Sequence, residues 1–451
     1  TIDFQLSGEF ELGNKFVGFA ISADHQEQEY DLTPAPGRLD DDADDGAIVF
    51  IQGSAIDGGG ERTRDSVGIE LSTMLTNKLE ANFATRYDSY DDKSSNVGSR
   101  TSSMISMAYR PNDDLLIRGS FSESFRAPDM NYLFQDASSG FYNSFQDYVL
   151  CYAYTLDDPK TYDYDDYRDC EIGSGSVQGF FEGNTTLKEE EGENYQIGLV
   201  WDITNNLNFS LDLYEVMLES AVTRESPSSL NFAEGKCLYG SGFEDFMRDE
   251  FPSRDCAQIV AKIKRGPAVN DLTWAPLPIG SFDEGYPEYT NQSYINYEGA
   301  DWSINYRYET QNAGDFFLGL SSSHILKSAT KFDEYSEEQD ALDAYLYEPR
   351  SQQNLSLSWR YKDFSTTLFT DRTGHMEAYR GYSTPSKTAP HMIMNLSSNY
   401  NYSPDINFYL SIRNVENKMP QLDEAFGFPF YNRGYFNAYG RYVTVGGSFR
   451  F

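Results

Sequence analysis

Tyr442-Val443-Thr444-Val445-Gly446-Gly447-Ser448-Phe449-Arg450-Phe451 closes the chain and decides how the rest is read. In an extended strand Val443, Val445, Gly447, Phe449 and Phe451 fall on one face. Tyr442, Thr444, Gly446, Ser448 and Arg450 fall on the other. A strand with one apolar and one polar face suits a soluble sheet over a core, or the wall of a membrane barrel. In the barrel the apolar face meets lipid and the polar face lines a wet lumen.

The same split recurs towards the N-terminus. Ile406, Phe408, Leu410 and Ile412 oppose Asn407, Tyr409, Ser411 and Arg413, and Leu355, Leu357, Trp359 and Tyr361 oppose Asn354, Ser356, Ser358 and Arg360. Trp302, Ile304 and Tyr306 oppose Ser303, Asn305 and Arg307, and Leu79, Ala81 and Phe83 oppose Glu80 and Asn82. Charge on the second face is tolerable only where that face is hydrated. Repeated strands of about ten residues with Tyr or Trp at their ends suit a membrane wall, with the amphipathic rings at the interface. Composition agrees, with 39% hydrophobic residues, 34 Tyr and 31 Phe. No run of the roughly 18 apolar residues that a membrane helix needs occurs anywhere.

The connections order the strands. Short turns rich in Asn, Asp, Gly and Pro stand at Gly13-Asn14, Asn77-Lys78, Asn112-Asp113, Asn205-Asn206, Ala313-Gly314, Lys362-Asp363 and Pro404-Asp405. Between them lie long polar stretches near 25–62, 89–98, 125–190, 219–291, 327–348, 373–388 and 416–437. Short periplasmic turns and long extracellular loops alternate in this way in outer-membrane barrels. The reading predicts an all-β, antiparallel transmembrane barrel with 15 strands in this chain. A complete bacterial barrel has an even number, so the chain is expected to be part of a larger one.

The net charge of -36 excludes a nucleic-acid partner, which needs clustered Lys and Arg. Much of the acid sits in loops, as in the run Asp40-Asp41-Asp42-Ala43-Asp44-Asp45, read here as solvated. It fails the calcium-loop pattern, because Ala43 and Gln52 stand at the third and twelfth positions from Asp41. The cysteines form two local pairs, Cys151 with Cys170 and Cys237 with Cys256, each 19 apart within a polar loop. Two loop-stapling disulfides are the expectation among the three connectivities that four cysteines allow, and they imply an oxidising compartment. No C-x-x-C spacing exists and the four His residues are scattered, so neither a metal site nor a cofactor is expected. Without G-x-S-x-G or any pairing of His with a motif Ser or Cys, the chain is not expected to be an enzyme.

Four segments carry a resemblance. Arg118-Gly119-Ser120-Phe121-Ser122-Glu123-Ser124-Phe125-Arg126-Ala127-Pro128 is similar to the R-x-S-x-S-x-x-F-R-A-P stretch of TonB-dependent outer-membrane receptors. Gly183-Asn184-Thr185-Thr186-Leu187-Lys188-Glu189-Glu190, with Asn194-Tyr195 beyond it, resembles their G-N-P-x-L-K-P-E … N-Y-E stretch, Glu189 being among its departures. Ile412-Arg413-Asn414-Val415-Glu416-Asn417-Lys418-Met419-Pro420 and the aromatic end at Phe451 complete the set.

That resemblance implies a 22-stranded barrel with an N-terminal plug. Nothing here resembles the plug or the TonB box, so residues 1–451 are read as the C-terminal portion of the barrel. It further implies a bacterial outer-membrane location among lipid and lipopolysaccharide, and insertion by the barrel-assembly machinery at the Phe451 strand. Energised uptake of a scarce large nutrient (glycan, peptide or siderophore) would run through the plug to TonB–ExbB–ExbD. The alternative is a passive outer-membrane porin or channel. Loop aromatics Tyr142, Phe145, Tyr148 and Trp274 are the candidates for substrate contact. Phe125, Arg126, Ala127 and Pro128 are expected to serve structure, Pro128 ending a strand where its missing N–H is harmless. Acidic loops with one basic island at Lys262, Lys264 and Arg265 lean towards a neutral or cationic ligand.

Overall fold

A computed structural model describes residues 1–33, 58–157, 170, 174–247, 254–268, 278–331, 338–340, 342, 348–377, 387–423, 426 and 428–451. The acidic run at 40–45 and Trp274 lie outside them. In chain order the wall begins with β1 (Ile2–Leu12), β2 (Lys15–Leu32), β3 (Gly58–Thr76), β4 (Leu79–Asp92), β5 (Ser99–Asn112) and β6 (Leu115–Arg126). Then come α1 (Met130–Phe134), β7 (Ser138–Gln146), α2 (Tyr148–Asp157) and β8 (Ser174–Phe181), which belong to an outer loop. The wall resumes with β9 (Glu190–Thr204) and β10 (Leu207–Arg224). A second outer loop holds α3 (Pro227–Tyr239), α4 (Ser241–Met247), α5 (Cys256–Ala261), β11 (Ile263–Arg265) and β12 (Phe282–Gly285). The rest of the wall is β13 (Tyr289–Thr310), β14 (Gly314–Lys331), β16 (Ser351–Tyr361), β17 (Phe364–Thr373), β18 (His391–Ser403), β19 (Ile406–Arg413) and β20 (Tyr442–Phe449), with a short β15 (Gln339–Asp340) beside β14.

These strands pair in chain order into one antiparallel sheet of 16, of which β15 alone lies off the path, leaving the 15 that the turns predict. β1 and β20, its two ends, are not hydrogen-bonded to each other. The tight turns use the left-handed region where only Gly is unstrained, at Gly13 (φ 68°) and Gly314 (φ 85°).

Burial is inverted relative to a soluble sheet. Phe4, Leu6, Phe83, Ile105, Ile197, Leu213, Leu357, Phe408 and Val445 of the wall are all exposed large hydrophobics. Most of the largest fully buried apolar side chains, among them Leu133, Val149, Leu187, Leu230 and Phe243, come from the loops. Apolar residues strung along every strand yet uncovered by protein form the surface that lipid covers. The opposite face carries ion pairs such as Arg118 with Asp212 (2.8 Å) and Arg86 with Asp24 (2.9 Å), which a wet lumen tolerates. Near the tight turns Tyr306, Tyr308, Phe316, Trp359, Tyr361 and Phe364 form a chain of neighbouring rings. Trp359 Nε1 donates to the Ala313 carbonyl at 2.7 Å, its polar edge towards the turn. Such a row marks a membrane interface.

The strands run further outwards than the alternation suggests. The stretch expected as loop from 25 to 62 is strand as far as Leu32 and again from Gly58, paired Leu32↔Gly58 through His25↔Asp65. Likewise β10 continues to Arg224 and β13 starts at Tyr289, inside the expected 219–291 loop. The 18 residues of β10, at about 3.3 Å each, far exceed an apolar band about 25 Å tall. Their outer parts stand in water, where both faces are polar and alternation fades. The ladder persists because backbone pairing does not need it.

Candidate functional site

The two large loops fold together as an outer cap. β11, β12, β8 and β7 form a second, four-stranded sheet in that order, drawing strands from both loops. Phe145, Val177 and Phe282 pack on it with Tyr142 and Ile263, while Val149, Cys151, Cys170, Phe243, Phe246 and Met247 form a core among the helices. Cys151 is bonded to Cys170 and Cys237 to Cys256, the pairing expected from their spacing. α3 is capped by Ser226, whose side chain accepts from the Ser229 N–H at 3.1 Å, and Pro227 follows at the first turn.

Buried charge locks the cap. The Arg265 guanidinium donates to both Glu234 oxygens (2.8 and 2.6 Å) and to Asp147 (2.8 Å). Asp147 also accepts from Asn231 Nδ2 (2.9 Å), the Phe282 N–H (2.8 Å) and the Leu150 N–H (3.1 Å). Burial alone would lower the Arg265 pKa, but its bonds to Glu234 and Asp147 outweigh that and raise it. Glu225 receives Arg254 (2.7 Å) and Lys262 (2.8 Å), and Lys262 also reaches Glu288 (3.1 Å). Lys264 pairs with Glu284 at 2.6 Å. The basic island is therefore matched by acids of the cap itself and presents no uncompensated positive patch.

The loop aromatics have structural work. Phe145 is 3% exposed with its ring 4.8 Å from Phe282, and Tyr148 stacks on Phe232 at 5.7 Å. Tyr142 is half-buried over Gly179. Tyr142 and Phe145 share one cluster of the cap and Tyr148 packs against another, and none lines the cavity described below.

The motif residues form a rim between wall and cap. Phe125 meets Tyr90 edge-on at 6.1 Å, and Arg126 bonds the buried Glu190 at 2.5 Å. Ala127 is buried, and the buried Pro128 offers its carbonyl to Arg62 Nη2 at 2.9 Å, while Arg62 Nε holds Asp92 at 2.9 Å. Asn184 donates to the Tyr289 carbonyl (2.8 Å), and Glu190 accepts from the Val222 N–H (2.7 Å). These contacts tie together strands that the outer loops would otherwise splay. Asn414 (φ 50°) turns the chain out of β19, its side chain bonded to Lys418 N and O at 2.8 Å. Phe451 stands fully exposed at the end.

On the polar face the last loop shapes a cavity of about 570 Å³. Asp371 and Thr373 of β17, His391 and Asn395 of β18, and Arg413 of β19 form its wall. Tyr435, Phe436, Asn437, Tyr439 and Arg441 close it from the loop, with Tyr442 at the start of β20. The Phe436 ring meets His391 at 4.9 Å. A volume of several hundred Å³ with aromatics and a few convergent polar groups is the usual form of a ligand site. The sequence reading missed it, because its walls come from segments up to 71 residues apart (442 less 371) that only strand register unites. Among the described residues no group of His, Cys, Asp or Glu is arranged to hold a metal ion.

A lipid-facing antiparallel wall, tight turns at one end and a folded cap at the other define an outer-membrane β-barrel protein. Residues 1–415 match the family described as TonB dependent receptor-like, beta-barrel, and the chain belongs to that family, whose barrels are bacterial outer-membrane proteins. The fold is similar to the siderophore receptor PirA from Acinetobacter baumannii, with 12% identity and TM-score 0.59 over 99% of this chain and 53% of that one. It is similar too to a mutant ferric enterobactin receptor from Pseudomonas aeruginosa solved with enterobactin, with 14% identity, TM-score 0.60 and the same coverage of 99% and 53%. The ferric-catecholate import receptor Fiu from E. coli gives 12% identity and TM-score 0.51 over 99% of this chain and 54% of that one. The chain thus spans about half the length of these receptors. No curated protein sequence matches it.

Proposed function

We propose that this chain forms the wall and outer cap of a receptor that imports a scarce, large solute with TonB-derived energy, rather than an enzyme or an open pore. The observation that carries the reading is the cavity on the polar face, where exposed tyrosines and charged side chains converge beneath a loop. A non-selective open pore has no need of a shaped, aromatic site. The cap supports the same reading, since cross-linked cores and buried ion networks hold its surface in a fixed form for selective contact. Family membership supplies the expected partners, TonB–ExbB–ExbD acting through a plug. The related solved receptors handle ferric siderophores, so a siderophore stands beside a glycan or a peptide as the cargo class.

The test is solute uptake by cells carrying or lacking the gene, with and without a protonmotive-force uncoupler. The expected outcome is gene-dependent accumulation that the uncoupler abolishes. Uncoupler-insensitive uptake, together with large steady currents from the full-length protein in planar bilayers, would replace the import receptor with the passive channel.

A further inference from the structure

The charges in the cavity under the last loop narrow what it can hold. Arg413 and Arg441 are exposed and make no ion pair among the described residues. They contrast with the cap's Lys262, Lys264 and Arg265, which are all matched by acids. Asp371 lines the same cavity, exposed and likewise without an ion pair. Charges of both signs thus face one space without closing on each other. Tyr435, Tyr439 and Tyr442 are 42%, 81% and 62% exposed.

We propose that this cavity binds a carboxylated sugar, a uronate unit of an acidic oligosaccharide. Arg413 and Arg441 take its carboxylate, the tyrosine rings take its apolar C–H face, and Asp371 and Asn395 take its hydroxyls. The assignment rests on the import reading and names the cargo of the same site. Guanidinium forks match carboxylates in geometry as well as charge. Aromatic rings offer a flat apolar body to a sugar face. An ionised carboxylate such as Asp371 only accepts hydrogen bonds, so its ligand must bring donors, and sugar hydroxyls are donors. The Asn395 side-chain oxygen already accepts from the Asn414 N–H at 3.0 Å, leaving its amide nitrogen to donate. A ferric tricatecholate presents an anionic, acceptor-only centre and would set it against Asp371. A neutral glycan would leave both guanidiniums unmatched. The acidic bulk of the protein repels anions in general, so the two arginines are what favours an anionic sugar in this cavity.

The experiment is equilibrium binding to the purified full-length receptor of a galacturonate tetrasaccharide, a galactose tetrasaccharide and a ferric tricatecholate. The galacturonate is expected to bind most tightly, and its affinity to fall as salt rises. Arg413→Gln and Arg441→Gln should each weaken it about tenfold or more, and Arg413→Lys by less, with galactose binding unchanged. Equal binding of acidic and neutral sugars, tighter binding of the catecholate, or no loss in the Arg413→Gln/Arg441→Gln double variant each overturns the proposal. If a variant fails to assemble, the ranking of the three probes on the unaltered receptor decides alone. Binding that survives while uptake proves insensitive to uncoupling removes the import reading and leaves this site standing. Uncoupler-sensitive uptake of another solute, with no galacturonate binding, does the reverse.

Discussion

Glu225 stands one residue beyond β10, where wall becomes cap, and shows how a single side chain can hold a loop to a barrel. It is buried, paired with Arg254 and Lys262, and accepts from the Glu288 N–H at 3.2 Å just before β13 begins. Burial on its own would raise its pKa. The Lys262 hydrogen bond and charge, with Arg254, reverse that and hold the carboxyl below its ordinary 4.5. A lowered carboxyl pKa stabilises the fold fully above the unfolded value, and that stability is lost as pH falls through the folded value. The cap base is therefore expected to loosen below about pH 4.5, and Glu225→Gln to cost about 3 kcal/mol at neutral pH while flattening the acid response. Hydrogen exchange of the 225–230 and 286–290 backbone against pH reads this directly. An unchanged acid profile in Glu225→Gln would assign the effect to other carboxyls.

At the scale of elements the wall was legible and the cap was not. A period of two survives in the sequence because one face of each wall strand meets lipid and the other water, as in Ile406 to Arg413. The cap helix α3 has no such contrast. Leu230, Asn231, Ala233, Glu234 and Gly235 are all buried, polar and apolar alike, so no one-sided stripe advertises it. Only the Ser226-Pro227 start and the cysteine spacing mark this region in the sequence. The cavity was illegible for a different reason, since Asp371, Asn395, Arg413 and Tyr435 meet only after strands and last loop are in place. The disulfides close short loops, each with 19 residues of separation, and in the chain-entropy account a loop of that size is worth about 3 kcal/mol. Replacing Cys237 and Cys256 by Ser should make the cap of intact outer membranes more sensitive to added protease by a factor of tens to a hundred, with the wall still resistant. Identical cleavage rates would show that the cores and ion networks suffice without that staple.

For the molecule as a whole the decisive claim is which face of the wall meets lipid, because cavity, rim and cap are placed by it. Leu318, Leu357, Leu368 and Leu396 lie side by side across β14, β16, β17 and β18. One residue away Gly319, Ser356, Phe369 and Asn395 form the parallel row on the other face, the last of them in the cavity. Leu357 is 44% exposed in a row of leucines, which a lipid environment accounts for and water does not. An arginine at Leu357 would have to sit in hydrocarbon, at a cost of about 2–4 kcal/mol near the midplane, whereas one at Ser356 would enter a hydrated lumen at little cost. Urea titration of folding into lipid vesicles should separate Leu357→Arg from Ser356→Arg by that amount, and only the first should lower the amount of folded protein in the outer membrane. The same penalty at both positions would mean that the faces are assigned the wrong way or that the wall is not in lipid. With Ser356 tolerant and Leu357 not, Asn395 and its cavity neighbours are committed to the lumen.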